Sequence, residues 1–384
     1  MGKNRVIYQS QAVYAGPDQY NKLWIHETGA SADPANGFSP PVQLQRIQNA
    51  NYNFELTRQD VNQFGNLAAI DRIILDQPTV GFDTSWYVCS LFNENTVGFK
   101  VTAAGAALQS CISSMLDRTA DQRNYYVRVV AEGQDAADYT DTTSANNEVI
   151  GIGNGFLSNY TVEAAVGGFP TASLTVEGLN IAFYNGTTGF CPWVDSENGK
   201  KNQSIATNAS PQVGGRQFSL PEAEKTSQSS NANSAKVIKP GDIEFTMPST
   251  SIGPDEDDLK VQSFNITLDL GREPLQKLGS RYAYAREIAF PVTVSCSLDA
   301  LVGDMDTGDL SDTITANSDH ELAFKLNAGD GSQHIAYVMK KAKLDSMDFT
   351  NTIGDNKSVS LNFSCQIGAA TDTTVGLFMS GVST

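Results

Sequence analysis

The stretch "NYNFELTRQDVNQFG", residues 51–65, decides the fold because a close copy of it returns later in the chain. Its apolar side chains alternate with Asn and Glu, which is the two-residue period of a half-buried β-strand. The second copy, "FNITLDLGREPLQKLG" at residues 264–279, keeps the alternation and the arginine and glycine that follow it. A duplicated strand unit therefore organises the sequence.

Two blocks of the sequence repeat, each at its own offset. Residues 48–80 align without a gap with residues 262–294, which lie 214 positions later. Residues 157–176 align with residues 344–363, 187 positions later, and both members have the strand–turn–strand pattern of a hairpin. The smaller second offset leaves 27 additional residues between the blocks of the first copy. The ten identical pairs of the longer block are Gln48/Gln262, Asn51/Asn265, Leu56/Leu270, Arg58/Arg272, Gly65/Gly279, Ala69/Ala283, Arg72/Arg286, Ile74/Ile288, Thr79/Thr293 and Val80/Val294.

Length and composition limit the possible architectures. A chain of 384 residues is longer than one core usually serves, and only 18% of its residues are charged. We therefore predict a mainly β fold with two similar antiparallel β-sandwich or barrel domains, each with a short flanking helix. The predicted domains span residues 1–185 and 237–384, with an insertion or linker at 186–236 that is rich in Gly, Ser, Asn and Gln.

A helix is predicted at residues 106–118, in the additional part of the first copy. Its apolar residues recur at the i, i+3, i+4 spacing of one helix face. A strand is predicted after it, at 124–132, with a counterpart at 320–327 in the second copy. The apolar residues of the predicted helix are Leu108, Cys111, Ile112, Met115 and Leu116.

Charge and cysteine content argue against several classes of protein. The net charge of −17 repels phosphates and anionic membranes, so sequence-specific DNA binding and membrane attachment are not expected. No stretch approaches 18 apolar residues, and the first eleven residues lack the apolar segment of a signal peptide. The five cysteines form no CxxC pair, so we expect buried, reduced thiols in a protein made in a reducing cytoplasm.

No pattern typical of a catalytic or metal site is present in the sequence. The histidines, His26, His320 and His334, lack zinc-site spacing, and surface or rim positions are expected for the last two. The alternate glycines at 151–155 favour a strand with one bare face over a nucleotide loop, because such a loop has to open a helix. The acidic stretches 255–258 and 304–312 favour solvated loops, with a calcium site as the alternative. We therefore expect no enzyme activity, no cofactor and no metal.

The polar positions of the repeated strands form the candidate functional surface. Across the two copies they are Asn, Ser, Thr, Asp and Glu, and none is Lys or Arg. Solvent exposure explains one such strand, but four matched strands without a cation indicate a shared surface from which cations are kept. The candidates are Asn51, Asn53, Glu55, Asn159, Thr161, Glu163, Asn265, Thr267, Asp269, Ser346, Asp348 and Thr350.

Two arginine pairs recur in the repeat, Arg58/Arg272 and Arg72/Arg286. One interpretation is an ion pair within each copy, for example Arg58 with Asp60, which at a surface is worth under about 1 kcal/mol. The other is a bidentate clamp between neighbouring copies, where arginine is favoured over lysine. Both interpretations stay open, and the four arginines are candidates for a subunit interface.

The sequence resembles the major tail tube proteins of long-tailed bacteriophages. The resemblance lies in "IQNANYNFELTRQDVNQFGNLAAIDR", "NENTVGF" and "NGFLSNYTVEAAVGGFPTASLTVEGLN", and it extends over much of the chain through the two copies. It implies packed antiparallel sheets with a flanking helix. It also implies six-fold rings of domains, whose inner strands merge into one β-barrel and whose stacking forms a hollow tube. The long insertion at 186–236 departs from the simplest pattern of the family.

The resemblance also implies a function and a set of partners. The chain is expected to be a structural protein of the virion tail, assembled in the host cytoplasm, and the polar candidates are expected to line an acidic lumen. Fixed negative charge would let DNA pass during ejection without binding. The implied partners are further copies of the chain, within and between rings, the tape-measure protein, the tail terminator and the baseplate or tip proteins.

The duplication predicts how many chains form one ring. If a ring needs six tube domains and each chain supplies two, the ring is a homotrimer with pseudo-six-fold symmetry. The alternative is another duplicated tail component, such as a baseplate hub or a distal tail adaptor, that forms a single ring.

Overall fold

The fold is mainly β, as predicted, and is built around a large sheet in which all but one of the strand pairings are antiparallel. A computed structural model describes residues 11–17, 41–117, 121–136, 147–190, 192–195, 200–201, 217–221, 238–247, 259–280, 282–302, 318–327, 333–350 and 356–381. His26 and the acidic stretches 255–258 and 304–312 lie outside these ranges.

The elements before the insertion are β1 (Gln11–Pro17), β2 (Val42–Gln43), β3 (Ile47–Glu55), β4 (Arg58–Val61), β5 (Asp71–Ile74), β6 (Thr79–Tyr87), α1 (Phe92–Val97), β7 (Val101–Thr102), α2 (Ser113–Leu116), β8 (Gln122–Val130), β9 (Asn147–Ala165), β10 (Thr171–Gly178) and β11 (Asn180–Asn185). The insertion contains β12 (Thr188–Phe190), β13 (Val194–Asp195), β14 (Lys200–Lys201) and β15 (Gln217–Ser219). After a 3-10 turn at Pro240–Asp242 follow β16 (Ile243–Thr246), β17 (Leu259–Asp269), β18 (Arg272–Leu275), β19 (Ala285–Ile288), β20 (Thr293–Val302), β21 (His320–Asn327), β22 (Gln333–Thr350), β23 (Ser358–Gln366) and β24 (Gly376–Gly381).

Eight strands form one continuous antiparallel sheet, in the order β3-β6-β10-β9-β17-β20-β23-β22. The first four strands come from the first copy and the last four are their counterparts, in the same order. The copies therefore join edge to edge through β9 and β17. Among the described strands, β3 and the C-terminal half of β22 are the two ends of this sheet.

The strand register is the same in the two repeated segments. Asn51 lies opposite Asp83 in the first copy, and Asn265 lies opposite Ser297 in the second, so both strands of the pair keep the offset of 214. The pairs β9·β10 and β22·β23 keep the offset of 187 in the same way. The small hairpins β4–β5 and β18–β19 also match in register.

The identical pair Gln48/Gln262 marks a β-bulge in each copy. Each glutamine is the extra residue where the ladder shifts register. Its side-chain Nε2 donates a hydrogen bond to the carbonyl oxygen two residues earlier, of Arg46 in one copy and Lys260 in the other, at 3.0 Å in both. The side chain of the extra residue thus binds the backbone next to the bulge in the same way in both copies.

The long strands β9 and β22 belong to two layers. Their C-terminal halves lie in the eight-stranded sheet, and their N-terminal halves pair with β8 and β11, and with β21 and β24, in an outer layer. A bulge at Ser158 and its counterpart Asp345 marks each crossing. The outer strands cover the apolar face of the eight-stranded sheet, and one core cluster contains residues of both copies.

The alternate glycines of β9 allow close packing, as predicted. A Cβ at Gly153 would collide with the backbone of Pro192, and one at Gly155 would lie 2.8 Å from the carbonyl oxygen of Arg123. Between these glycines, the side chain of Asn154 donates to the Val194 carbonyl at 3.0 Å and accepts from the Val194 N–H at 2.8 Å. The insertion is therefore anchored to the outer layer.

The helix prediction at 106–118 is wrong for most of that segment. Of its described residues, 106–117, only those of α2 are helical. The residues before α2 add to the edge of β24 instead: the Cys111 N–H donates to the Leu377 carbonyl at 3.1 Å, and β7 pairs with β24 in parallel. The helix α1 was not predicted. The region of the second copy where a flanking helix was expected, 303–317, lies outside the described residues.

His320 is buried, so the predicted surface position is wrong. Its side chain packs edge-on against Phe363, with 5.8 Å between the ring centroids, and only 6% of the residue is exposed. Burial lowers the pKa of His320. Its neighbours in the sequence are polar, so they did not indicate that the first residue of β21 is buried.

The prediction of buried, reduced cysteines is confirmed for four of the five. Cys89, Cys111, Cys296 and Cys365 are free and buried, and Cys191 lies outside the described residues. Burial raises the pKa of the Cys296 and Cys365 thiols to about 12.

A carboxyl group is buried where the two copies meet. Glu94 accepts hydrogen bonds from Trp86 Nε1 at 3.1 Å and from the Tyr160 hydroxyl at 3.0 Å. The Tyr160 hydroxyl lies 3.2 Å from the Tyr337 hydroxyl, which belongs to the second copy. Burial raises the pKa of Glu94 to about 7, and the hydrogen bonds from Trp86 and Tyr160 oppose this rise. The folded protein therefore holds a proton on Glu94 at pH values where the unfolded chain has lost it.

We expect Glu94→Gln to flatten the pH dependence of stability. The raised pKa of Glu94 stabilises the fold below about pH 4.5, and this contribution is lost as the pH rises through about 7. Relative to the variant, the free energy of unfolding of the native chain should fall by on the order of 3 kcal/mol over this range. Urea denaturation at a series of pH values measures it, and the exposed Asp117→Asn is the control. An unchanged slope in Glu94→Gln would contradict the assignment.

Candidate assembly interface

All twelve polar candidates lie on one face of the eight-stranded sheet. At the middle of the sheet Asn159 lies opposite Asp269, and Thr161 lies opposite Thr267 with 3.4 Å between their hydroxyl oxygens. Directly opposite residues of an antiparallel pair point to the same face, so the ladders extend this face to β3 on one side and β22 on the other. The structure thus brings together residues that are up to 299 positions apart in the sequence.

The polar face is acidic. Serine and threonine hydroxyls hold its carboxylates: Ser263 and Ser360 both donate to Asp299, at 2.9 and 2.6 Å, and Thr175 donates to Asp83 at 2.9 Å. The sequence prediction missed Asp83 and Asp299, although the alternation in β6 and β20 places them on this face. Between the bulges, the described strands carry no Lys or Arg on this face, and its carboxylates include Glu55, Asp83, Glu163, Asp269, Asp299 and Asp348.

The two copies meet in a continuous backbone ladder, which we call the internal junction. Residues 159–165 of β9 pair with residues 263–269 of β17, and the Leu270 N–H extends the ladder by donating to the Ser158 carbonyl at 2.7 Å. The first and second copies therefore join as if they were adjacent strands of a single domain.

Arg272 crosses the internal junction from the hairpin β18–β19. Its Nη1 lies 2.6 Å from Oδ1 of Asp121, its Nε donates to the Leu157 carbonyl at 3.0 Å, and its guanidinium group lies 5.3 Å from the centre of the Phe156 ring. The side chain is 1% exposed. A charged, multidentate and stacked contact of this kind is one that lysine does not reproduce.

Arg286 binds the same part of the first copy. Its Nη1 lies 3.1 Å from Glu177 Oε2, and its guanidinium group lies 5.8 Å from the centre of the Phe156 ring. Burial lowers the pKa of Arg286, and the Glu177 carboxylate opposes this effect. The arginines were identified as candidates because they recur in the repeat. Their partners Asp121, Glu177 and Phe156 have no identical counterpart, so the repeat did not indicate them.

Arg58 and Arg72, the counterparts in the first copy, are exposed. Arg72 Nε lies 2.6 Å from Asp60 Oδ1 in the same hairpin, β4–β5. Within the part of the chain that the structure describes, the Arg58 side chain has no hydrogen bond or ion pair. The ion pair suggested for Arg58 and Asp60 is thus made by Arg72.

Apolar residues that the internal junction buries in the second copy are exposed in the first. Phe54 at the edge strand β3 is 59% exposed, whereas its counterpart Leu268 is 0% exposed. Leu56 is 38% exposed, whereas Leu270 is 0% exposed. At the opposite edge, Phe349 of β22 is 42% exposed and its counterpart Val162 is fully buried. Each end of the eight-stranded sheet thus presents one half of a junction.

Neither a metal site nor a membrane-spanning helix is present in the described ranges. No three His, Cys, Asp or Glu residues come together there in a way that would hold a metal ion. None of the described helices has the length and apolarity needed to cross a bilayer.

No protein-family model and no curated protein matches the sequence. Among solved structures, the tail of an empty GTA particle, refined helically with C6 symmetry, is similar at 16% identity and a TM-score of 0.22 over 31% of this chain and 90% of the other. A six-fold symmetrised baseplate of the anti-feeding prophage is similar at 9% identity and a TM-score of 0.25 over 48% of this chain and 98% of the other.

We expect Arg272→Ala and Arg58→Ala to differ sharply in the isolated chain, although they remove the same residue from matched positions. Arg272→Ala deprives a buried site of its cation and leaves Asp121 and the Leu157 carbonyl without their donor, so the free energy of unfolding should fall by about 2–4 kcal/mol. Arg58→Ala should change it by less than about 0.5 kcal/mol. Urea denaturation of the monomeric fraction measures both, and equal losses would contradict the assigned contacts.

Proposed function

We propose that this protein is the subunit of a bacteriophage tail tube and that three chains close into one ring with pseudo-six-fold symmetry. The observation that carries the proposal is the pair of open edges on the eight-stranded sheet. They are the counterparts of the two strands that pair at the internal junction, so repeating that junction between chains closes a barrel.

Closure of three such sheets gives a barrel of 24 strands, since each chain contributes eight. Barrels of about 16–18 strands already leave an aqueous channel, so a wider barrel encloses an open lumen. The outer layer with the core covers one face of each sheet, which leaves the acidic face for the lumen. Closure also removes the two exposed strand edges, which would otherwise promote uncontrolled association.

The acidic face supports a role in conducting DNA. At least eighteen carboxylates per ring, at least six from each chain, would line the lumen, and their field repels phosphates. DNA would pass during ejection, and the tape-measure protein would occupy the lumen before that. In this proposal the subunits assemble in the host cytoplasm, the rings stack into the virion tail, and the ends of the tube meet the tail terminator and the baseplate or tip proteins.

Electron microscopy of the purified protein tests the proposal. We expect long hollow tubes whose rings each contain three chains, with three-fold symmetry at high resolution and six-fold symmetry at low resolution. Rings of six chains would contradict the stoichiometry. Single rings that never stack would contradict the tube and favour a hub or distal tail adaptor. A protein that stays monomeric at all concentrations would contradict ring formation.

A further inference from the structure

The internal junction also predicts the contacts between chains, if the proposed ring forms. We infer that β3 and the hairpin β4–β5 of one chain dock on the C-terminal half of β22 of a second copy, in the register of the internal junction, and that Arg58 pairs with Asp319 of that copy. The occupant of the exposed edge is thus another copy of this chain.

The register follows from the two offsets of the repeat. Residues 265–269 of β17 correspond to residues 51–55 of β3, and residues 159–163 of β9 correspond to residues 346–350 of β22. The internal pair Thr267/Thr161 therefore predicts that Asn53 lies opposite Asp348 of the second copy. Leu270 and Ser158 are a hydrogen-bonded pair, because the Leu270 N–H donates to the Ser158 carbonyl. The two types of pair alternate along an antiparallel ladder, so Thr267/Thr161, three pairs further along, is a non-hydrogen-bonded pair. The same is expected of Asn53 and Asp348.

A groove next to β3 supports the same occupant. It has a volume of about 360 Å³ and is lined by Tyr52, Ile150 and Phe183, among others. The counterpart of Ile150 is Tyr337, which in the second copy meets Tyr160 of the first copy. The counterpart of Tyr160 is Met347, so the proposed ring places the half-buried Met347 of a second copy at this groove.

The site for Arg58 is identified by the same equivalence. Arg272 binds Asp121 and the Leu157 carbonyl. The counterpart of Leu157 is Leu344, and the β8·β9 and β21·β22 ladders make Ser318 the counterpart of Asp121. Ser318 has no carboxylate, but the next residue, Asp319, provides one at this end of β21.

Lys343 holds Asp319 at this place. It occupies the position of Phe156, and its Nζ lies 2.6 Å from Asp319 Oδ1 and 3.3 Å from the Ser318 carbonyl. Where the internal junction stacks its arginine on an aromatic ring, the edge of β22 offers a carboxylate that is already positioned and 49% exposed. The residue of the bulge, Asp345, adds a second negative charge beside Leu344.

Arg72 provides a matched comparison for Arg58. At the internal junction Arg286 reaches across to Glu177, but the counterpart of Glu177 is Ser364, which cannot pair with a cation. The first copy instead has Asp60 within its own hairpin, where the second copy has Pro274, and Arg72 pairs with it. The acid that pairs with Arg286 lies across the internal junction, whereas the acid that pairs with Arg72 lies in the same hairpin. Of the two first-copy arginines, Arg58 is therefore the one that we expect to bind the next chain.

Cysteine cross-linking tests the register. A chain with Asn53→Cys and Asp348→Cys should form covalent dimers and trimers under mild oxidation, because paired Cβ atoms at a non-hydrogen-bonded position suit a disulfide. The two cysteines of one chain cannot reach each other, since about seven strand spacings of about 4.8 Å separate them. Thr161→Cys with Thr267→Cys should form the same bond within a chain, and the shifted pair Asn51→Cys with Asp348→Cys should cross-link at least about tenfold more slowly.

Charge variants test the contact between Arg58 and Asp319. Arg58→Gln should weaken ring formation, measured by analytical ultracentrifugation, by at least about tenfold, whereas Arg72→Gln should weaken it by less than about threefold. Arg58→Glu and Asp319→Arg should each abolish most assembly, and the double variant should restore it. Far-UV circular dichroism checks that each variant is folded, which the exposure of both residues predicts.

The outcomes separate the contact from the proposed function. Trimeric rings that cross-link only in the shifted register, or that assemble equally well with Arg58→Glu, would overturn this inference and leave the tube proposal intact. A native chain that forms no rings would overturn both.

Discussion

The antiparallel pairing of β9 with β17 is the constraint on which the rest of the structure depends. It joins two copies of a four-stranded sheet in the same order, so that each copy has one used edge and one open edge. The unpaired N–H and C=O groups of an open edge favour pairing with another strand. Because the two open edges have the same strand identities as the joined ones, a single geometric rule suffices for every junction around a closed assembly.

Covalent linkage makes the physical demands on the internal junction different from those on the proposed junction between chains. Within the chain, the copies meet at a high effective concentration, so their contact adds to the stability of one folded unit. Its residues include a buried arginine stacked on Phe156, together with the shared core around Glu94 and Tyr160. Between chains, association has to overcome the loss of translational and rotational freedom, and the exposed edges present charged groups such as Lys343 and Asp319. The internal junction is thus more apolar and more buried than the two exposed edges.

Much of the sheet was predictable because its determinants repeat or alternate in the sequence. The two offsets matched equivalent positions of the two segments residue by residue, even at the bulges of Gln48 and Gln262, and the two-residue period indicated which side chains share the polar face. The alternate glycines of β9 were also interpreted correctly. These features share one property, namely that the information lies in the spacing of residues along the chain.

The failures of sequence reasoning arose where distant contacts decide the structure. Residues 106–118 have a helical period, but Ser110 and Cys111 pair with the backbone of β24, far away in the chain. His320 lies between polar neighbours in sequence and packs on Phe363 in space. The partners of Arg272 were hidden for the same reason: Asp121 is 151 residues away, and nothing in its local sequence distinguishes it from a solvated aspartate.

The anchoring of the insertion has a consequence for how such a chain can vary. Pro192 and Val194 contact β9 in its outer-layer half, and Phe218 packs against Tyr126 and Tyr184 there. This attachment lies on the opposite side of the core from the acidic face. In the proposed ring, variation at this attachment would therefore change the exterior of the tube while the acidic face stays the same.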